Sequence, residues 1–187
     1  IAVIGGSGIY EIDGLKDASW TSVETPWGAP SDQILTGQLD GVKMAFLPRH
    51  GRGHVHSPTE VPYRANIDAL KRLGVTDVFS VSACGSFREQ MAPGDFVIVD
   101  QFIDRTFARE KSFFGTGCVA HVSVAHPTCA RLSDAAEQAA RAAGVPSILM
   151  RYGYAGTPAD RLRADIVLRR FRELPGALFS LGMRAKH

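Results

Sequence analysis

Glycines and a serine follow the first apolar run of the chain, at the point where a strand would end. Gly5-Gly6-Ser7-Gly8 comes directly after Ile1-Ala2-Val3-Ile4, a pattern typical of a buried strand that runs into a turn. Glycines let backbone N–H groups approach an anion closely, and the Ser7 hydroxyl offers a further donor. A dinucleotide fingerprint would need glycine where Glu11 stands, and the lysine of a P-loop is absent. An anion cradle and an ordinary tight turn both stay open.

An arginine and a histidine stand at the end of a second apolar run. Arg49 and His50 follow Leu47-Pro48, and the planar guanidinium of an arginine matches a phosphate or a carboxylate. His54 and His56 come soon after and could suggest a metal site, but no cysteine or carboxylate lies among the histidines at ligand spacing. We therefore predict an anion contact for Arg49 and no metal, with His54 and His56 in a solvated loop.

Small polar residues end a third predicted strand, Asp77–Ser82, which runs on into Ala83 and Cys84. Ligands in open α/β sheets gather at the carboxyl ends of strands. The three strand ends therefore point to one small anionic ligand, for which phosphate is the best candidate. Cys84 could act as a nucleophile with His50 as its base, or it could be a small buried thiol beside a glycine turn.

The elements that must position these residues alternate between strand and helix. Residues 34–47 predict a hairpin that turns at Asp40-Gly41, the kind of dipeptide that a type I′ turn favours. Helices are predicted for Pro58–Leu73 and for His126–Gly144, and a further buried strand for Phe96–Val99. The sequence thus predicts an α/β fold, in which a mixed, largely parallel central sheet is flanked by helices and extended by an antiparallel hairpin.

Composition and charge exclude several classes of protein. Of the 187 residues 45% are hydrophobic and 21% charged, as in globular proteins, and no apolar run is long enough to predict a transmembrane helix. Three cysteines without CxxC spacing argue against a disulfide scaffold and favour a reducing, cytoplasmic setting. Residues 146–187 carry eight Lys and Arg against three Asp and Glu. Because no series of aromatic residues accompanies them, we expect no binding of nucleic acid.

Six segments of the chain, in this order, resemble a known family. They are IGGSGIYEIDGL, ETPWGAPSD, LPRHGRGHVHSP, YRANIDALKRLGV, SACGSFREQMAPGDFVIVDQFIDRT and FF…VAHVSVAHP. They are similar to segments of the 5′-methylthioadenosine phosphorylases, which belong to the trimeric purine nucleoside phosphorylase family. The resemblance runs from Ile1 to about Gly144 and predicts a phosphorylase-like α/β domain over residues 1–144.

The remaining residues, 145–187, do not follow the family pattern. The family would continue with a Met-Glu-Gly-Pro-x-Phe-Ser segment, a Met-Thr pair that meets the ribose and an Asp-containing loop that protonates the purine, and none of these is found. We predict a divergent basic tail, with one helix over Pro158–Leu174, so that the C-terminal part of the family fold is incomplete or divergent.

The resemblance implies a reaction and assigns residues to it. In this family inorganic phosphate attacks the anomeric carbon of a purine nucleoside as the purine leaves. For this chain the implied reaction converts S-methyl-5′-thioadenosine and phosphate to adenine and 5-methylthioribose 1-phosphate, with no cofactor and no nucleophilic role for Cys84. The implied phosphate-binding residues are Ser7, Arg49, His50, Ser82 and the backbone of Ala83. His121 would reach the site of a neighbouring subunit near the 5′ substituent of the sugar, so the site would depend on a homotrimer.

Two other functions stay open. A catalytically impaired remnant of the family that still binds phosphate would be consistent with the unmatched tail. A histidine phosphatase also carries Arg-His-Gly after a strand, but its motif lies at the start of the chain and is followed by acidic and polar residues instead of Arg52-Gly53-His54.

Overall fold

The described part of the chain contains eight strands and two helices. The computed structural model describes residues 1–6, 12–89 and 91–145 and the strands over 147–150 and 166–168. The described elements are, in chain order, β1 (Ala2–Gly5), β2 (Lys16–Thr21), β3 (Ile34–Leu39), β4 (Val42–Pro48), α1 (Tyr63–Arg72), β5 (Val78–Ser80), β6 (Phe96–Ile98), α2 (Ala130–Ala142), β7 (Ser147–Met150) and β8 (Ile166–Leu168).

The chain forms two compact units. The first unit comprises Ile1–Cys84 and Thr106–Ala120, and the second the described residues of Gly85–Arg105 and His121–His187. Four of the six pairings between described strands are parallel, which confirms the predicted mixed, largely parallel α/β architecture. The predicted division of the chain after Gly144 stays a prediction.

The first unit is built on a five-stranded sheet with the order β2-β3-β4-β1-β5. Strand β1 lies between β4 and β5, is parallel to both, and pairs Gly5 with Pro48 and Ile4 with Ser80. Strands β3 and β4 form the predicted hairpin. Its turn residues Asp40 and Gly41 have φ angles of 48° and 80°, and a type I′ turn requires positive values at both positions. Because β4, β1 and β5 are adjacent and parallel, their carboxyl ends lie at the same edge of the sheet.

Helix α1 packs against this sheet through its small and aliphatic side chains. Ala69 and Leu70 join the buried core of the first unit, which also contains Ala2, Ile34, Ala45 and Leu47. The helix begins at Tyr63, five residues after the predicted start. Pro62 explains the difference, because a proline keeps the residue before it out of helical geometry and fits only at the beginning of a helix.

The second unit contains a three-stranded parallel sheet with the order β6-β7-β8, and α2 lies beside β6 and β7. Helix α2 begins at Ala130 and not at the predicted His126, because Cys129 has extended dihedral angles and stands at the cap position. Strand β6 forms where predicted, but Phe96 is 63% and Val97 43% exposed, so the prediction of burial is wrong. A parallel strand is buried only where both of its faces are covered, and α2 is the one helix described in this unit.

Strand β8 lies within the segment predicted to be a helix. Ile166 and Val167 pair with Ile148 and Leu149 of β7, and β-branched side chains favour such pairing. Over these three residues strand pairing therefore prevails over the helical spacing of the apolar residues, and the rest of predicted helix Pro158–Leu174 lies outside the described residues. In the part of the chain that the structure describes, neither helix has the length and apolar character needed to cross a bilayer.

Candidate functional site

The three strand ends singled out in the sequence meet at one edge of the sheet in the first unit. Because β4, β1 and β5 are adjacent and parallel, Gly6, Arg49 and Val81 follow three neighbouring strands. Two hydrogen bonds extend the pairing beyond the strands: Arg49 N–H donates to the Gly5 carbonyl at 3.0 Å, and Val81 N–H to the Ile4 carbonyl at 2.8 Å. This is the edge at which ligands bind in α/β sheets.

The guanidinium group of Arg49 bridges two of these strand ends. Its Nη1 donates to the carbonyl oxygen of Val81 at 2.8 Å, and its Nε donates to Nε2 of His50 at 3.1 Å. The other N–H groups on Nη1 and Nη2 have no partner among the described residues, and the side chain is half-buried. A half-buried cation with free, coplanar donors is well suited to bind an oxyanion.

His50 is held as one neutral tautomer. Its Nδ1 lies 2.9 Å from the carbonyl oxygen of His56, which can only accept, so Nδ1 carries the proton and donates. Its Nε2 accepts from Arg49, so this nitrogen is not free to take a proton from the Cys84 thiol. Cys84 itself is a free, exposed thiol, and the alternative of a small buried thiol is therefore wrong.

Residues 49–56, which we call the Arg49 loop, are folded on themselves. Backbone N–H groups of Gly51, His54 and His56 donate to the carbonyls of Pro48, Gly51 and His50, each at 3.0 Å. The rings of His50 and His54 are stacked with their centroids 4.6 Å apart. His54 is exposed, as predicted for a solvated loop, but His56 is half-buried. Among the described residues no three His, Cys, Asp or Glu side chains come together as metal ligands.

Glycine is required at one position of this loop. Gly51 has a φ of 71°, a region that residues with side chains rarely adopt. A Cβ atom there would lie 2.8 Å from Cγ2 of Val55 and 2.9 Å from the carbonyl oxygen of Ser31. The backbone at Gly51 can therefore approach the backbone at Ser31 this closely only because glycine has no side chain.

An ion pair that the sequence analysis missed fastens the Arg49 loop to the segment that precedes β3. The backbone N–H and Nε of Arg52 donate to Oδ2 of Asp32 at 2.6 and 3.0 Å, and Nη2 donates to Oδ1 at 2.9 Å. Burial alone would raise the pKa of Asp32, but the Arg52 hydrogen bonds outweigh burial and lower that pKa below its ordinary value. The partners lie 20 positions apart, and no sequence spacing rule pairs residues in such different segments.

The other predicted site residues are placed as follows. Ser82 and Ala83 follow β5 and are exposed, and neither the Ser82 hydroxyl nor the Ala83 N–H has a partner among the described residues. Ser7 lies outside the described residues. His121 belongs to the second unit and is exposed, in a stretch without regular secondary structure despite the alternating pattern of residues 119–123.

Known proteins resemble the chain in sequence. Residues 1–178 match the model of the phosphorylase superfamily. The chain is 83% identical over 145 residues to S-methyl-5′-thioadenosine phosphorylase of Cereibacter sphaeroides, and 65% identical over 146 residues to the protein of that name from Rhodospirillum rubrum. Each match covers 78% of this chain and 50% of the relative, so the chain spans about half the length of the curated relatives it matches.

Solved structures resemble it in fold. A methylthioadenosine phosphorylase sourced from an antarctic soil metagenomic library matches with a TM-score of 0.74 at 44% identity, over 89% of this chain and 63% of that one. The methylthioadenosine phosphorylase of Schistosoma mansoni in complex with adenine matches with a TM-score of 0.74 at 34% identity, over 97% and 70% of the two chains. Because the family model covers nearly the whole chain and the solved structures share its fold, this chain belongs to the phosphorylase superfamily.

Proposed function

We propose that the edge formed by β4, β1 and β5 binds inorganic phosphate. The observation that carries this proposal is the Arg49 guanidinium, which is anchored to Val81 by one Nη1 hydrogen bond and keeps its other Nη donors free. The unpartnered Ser82 hydroxyl and Ala83 N–H stand on the adjoining strand end and would complete the cradle. The family resemblance assigns Ser7, Arg49, His50, Ser82 and Ala83 to phosphate, and of these His50 has both ring nitrogens engaged within the chain.

His50 acts in this site through Arg49. Its Nε2 accepts from Arg49 Nε and its Nδ1 donates to the His56 carbonyl, so the imidazole fixes the direction of the guanidinium. The same two hydrogen bonds disfavour a histidine phosphatase. A phosphatase of that kind attacks phosphorus with a free ring nitrogen, and both ring nitrogens of His50 are already engaged.

The bound phosphate would be a substrate. The relatives named S-methyl-5′-thioadenosine phosphorylase support a reaction in which that nucleoside and phosphate give adenine and 5-methylthioribose 1-phosphate. A phosphate oxygen forms a bond to the anomeric carbon as the carbon–nitrogen bond breaks, and the purine leaves with the electron pair and takes up a proton. Because positive charge grows on the sugar, a phosphate fixed beside it stabilises the transition state electrostatically.

Finer assignments follow from the same family resemblance. The chain would act as a pentosyltransferase of methionine salvage in the cytoplasm, with phosphate as co-substrate and no cofactor. It would assemble as a homotrimer in which His121 serves the site of a neighbouring subunit. A catalytically impaired phosphate-binding protein is the second candidate, because residues 145–187 contain no counterpart of the family's ribose and purine motifs.

Two measurements on the full chain test these proposals. Isothermal calorimetry with inorganic phosphate tests the site, and a chain that binds no phosphate at millimolar concentration contradicts it. Adenine release from 5′-methylthioadenosine, with and without saturating phosphate, then separates the two candidates. Release that requires phosphate identifies a phosphorylase, whereas phosphate binding without adenine release identifies the impaired form.

A further inference from the structure

A chain of contacts leads from the interior of the first unit to the Arg49 loop. It starts at Asn66 of α1, a side chain that is only 3% exposed. The amide oxygen of Asn66 accepts from the backbone N–H of Ser31 at 2.8 Å and from its hydroxyl at 3.1 Å. Ser31 is itself buried, so two buried hydrogen bonds fix the segment that carries it to the helix.

Asp32, the next residue, connects this fixed segment to the Arg49 loop through its contacts with Arg52. Its carboxylate accepts three hydrogen bonds from Arg52, and its Oδ1 also accepts from the backbone N–H of Gln33 at 2.7 Å. Arg52 donates in addition to Oε1 of Gln33 at 3.0 Å. Its guanidinium carbon lies 3.9 Å from the ring centroid of Trp20 in β2. Arg52 is thus held on its edge by Asp32 and on its face by an indole.

We propose that Asp32 is a positioning residue, which orders the Arg49 loop through Arg52 and thereby holds Arg49, whose direction His50 fixes, ready to bind phosphate. Arg52 lies only three residues after Arg49, and its own backbone N–H takes part in the contact with Asp32. A loop that is ordered before the ligand arrives does not lose further conformational entropy on binding. This inference rests on the proposed function for the identity of the ligand, but the ordering of the loop is a separate property.

The Asp32→Asn variant tests the inference, because asparagine keeps the size of the side chain and removes its charge. The matched control is Asp68→Asn, since Asp68 forms an ion pair with Arg72 within α1 and has no hydrogen bond or ion pair with residues 49–56 in the described part of the chain. Two quantities are measured on the folded full chain: the affinity for inorganic phosphate by calorimetry, and the rate of amide hydrogen exchange at Gly51, His54 and His56.

We expect Asp32→Asn to weaken phosphate binding about tenfold or more and to speed exchange in residues 50–56 by a similar factor, because small losses of alignment are costly in a pre-organised site. Asp68→Asn leaves both quantities unchanged. Asp32→Glu keeps the charge, so its phosphate affinity should lie between those of Asp32→Asn and the unsubstituted chain. In Arg52→Gln the same loss appears, and the double variant of Asp32→Asn with Arg52→Gln is no weaker than either alone, since both act through one contact.

The outcomes separate this inference from the proposed function. If the unsubstituted chain binds phosphate and Asp32→Asn binds it equally well, the phosphate site stands and the positioning role is overturned. If the unsubstituted chain binds no phosphate, the proposed function fails, and exchange in residues 50–56 alone decides whether Asp32 orders the loop. Should Asp32→Asn not fold, Arg52→Lys gives the same two readouts, because lysine keeps the charge but lacks the planar fork that Asp32 engages.

Discussion

Arg49→Ala is the substitution that bears most directly on the proposed site. It removes the one described cation that bridges two of the converging strand ends, together with every free Nη donor at that edge. Hydrogen bonds to a charged group contribute about 1.5–3 kcal/mol, which corresponds to a loss of about 10- to 150-fold in phosphate affinity. The cost in stability should be small, because Val81 and His50, the two groups that Arg49 contacts, are partly exposed and water can replace the lost partner.

Calorimetric titration with phosphate measures the affinity, and urea unfolding shows whether the variant is still folded. Arg72→Ala on α1 is the matched control, since it removes the same charge from an exposed ion pair. We expect this control to retain its phosphate affinity. The reasoning is refuted if Arg49→Ala binds phosphate as the unsubstituted chain does. It is also refuted if Arg72→Ala loses as much affinity, because the effect would then reflect net charge and not a contact.

Three further predictions concern the framework of the site. Gly51→Ala should lower the free energy of unfolding by about 2 kcal/mol or more, since it combines a positive φ with contacts below 3 Å, and urea unfolding measures the loss. Leu47→Ala, at a fully buried position, should lower it by about 2–5 kcal/mol in the same assay, whereas Val55→Ala at an exposed position should change it little. Because the folded state lowers the pKa of Asp32, its contribution to stability is complete at neutral pH and is lost as the pH falls below about 4. Asp32→Asn should therefore reduce the difference in unfolding free energy between about pH 7 and pH 3, and an unchanged difference would contradict this assignment.

The strand ends could be predicted from the sequence because each is a local signal. An apolar run followed by glycine, serine or arginine reports both the strand and its end, and parallel pairing then brings neighbouring ends to one edge. The hairpin was predictable for a similar reason, since Asp40-Gly41 favours the positive φ angles that the turn requires. What these elements share is that a few consecutive residues decide their geometry.

Elements that depend on distant partners were predicted poorly. The apolar residues of 158–174 recur at helical spacing in the sequence. Ile166–Leu168, within this segment, nevertheless pairs with β7 and forms a strand. Strand β6 reads as buried from its own residues, although burial depends on what covers its faces. The start of α1 is a different kind of error, because Pro62 is visible in the sequence and keeps residue 61 out of helical geometry, which places the start of the helix at or just after Pro62.

The Asp32–Arg52 pair explains why the candidate ligands were easier to find than the residues that hold them. A residue that contacts an anion must offer a particular chemistry at a strand end, so its type and its position in sequence together indicate its role. Asp32 and Arg52 lie in two different loops, and each alone looks like an ordinary exposed charge that contributes little. Their importance comes from the contacts on either side, Asn66 with Ser31 behind Asp32 and the Arg49 loop beyond Arg52. The residues that bind can thus be inferred from composition at a strand end, whereas those that position them require the fold.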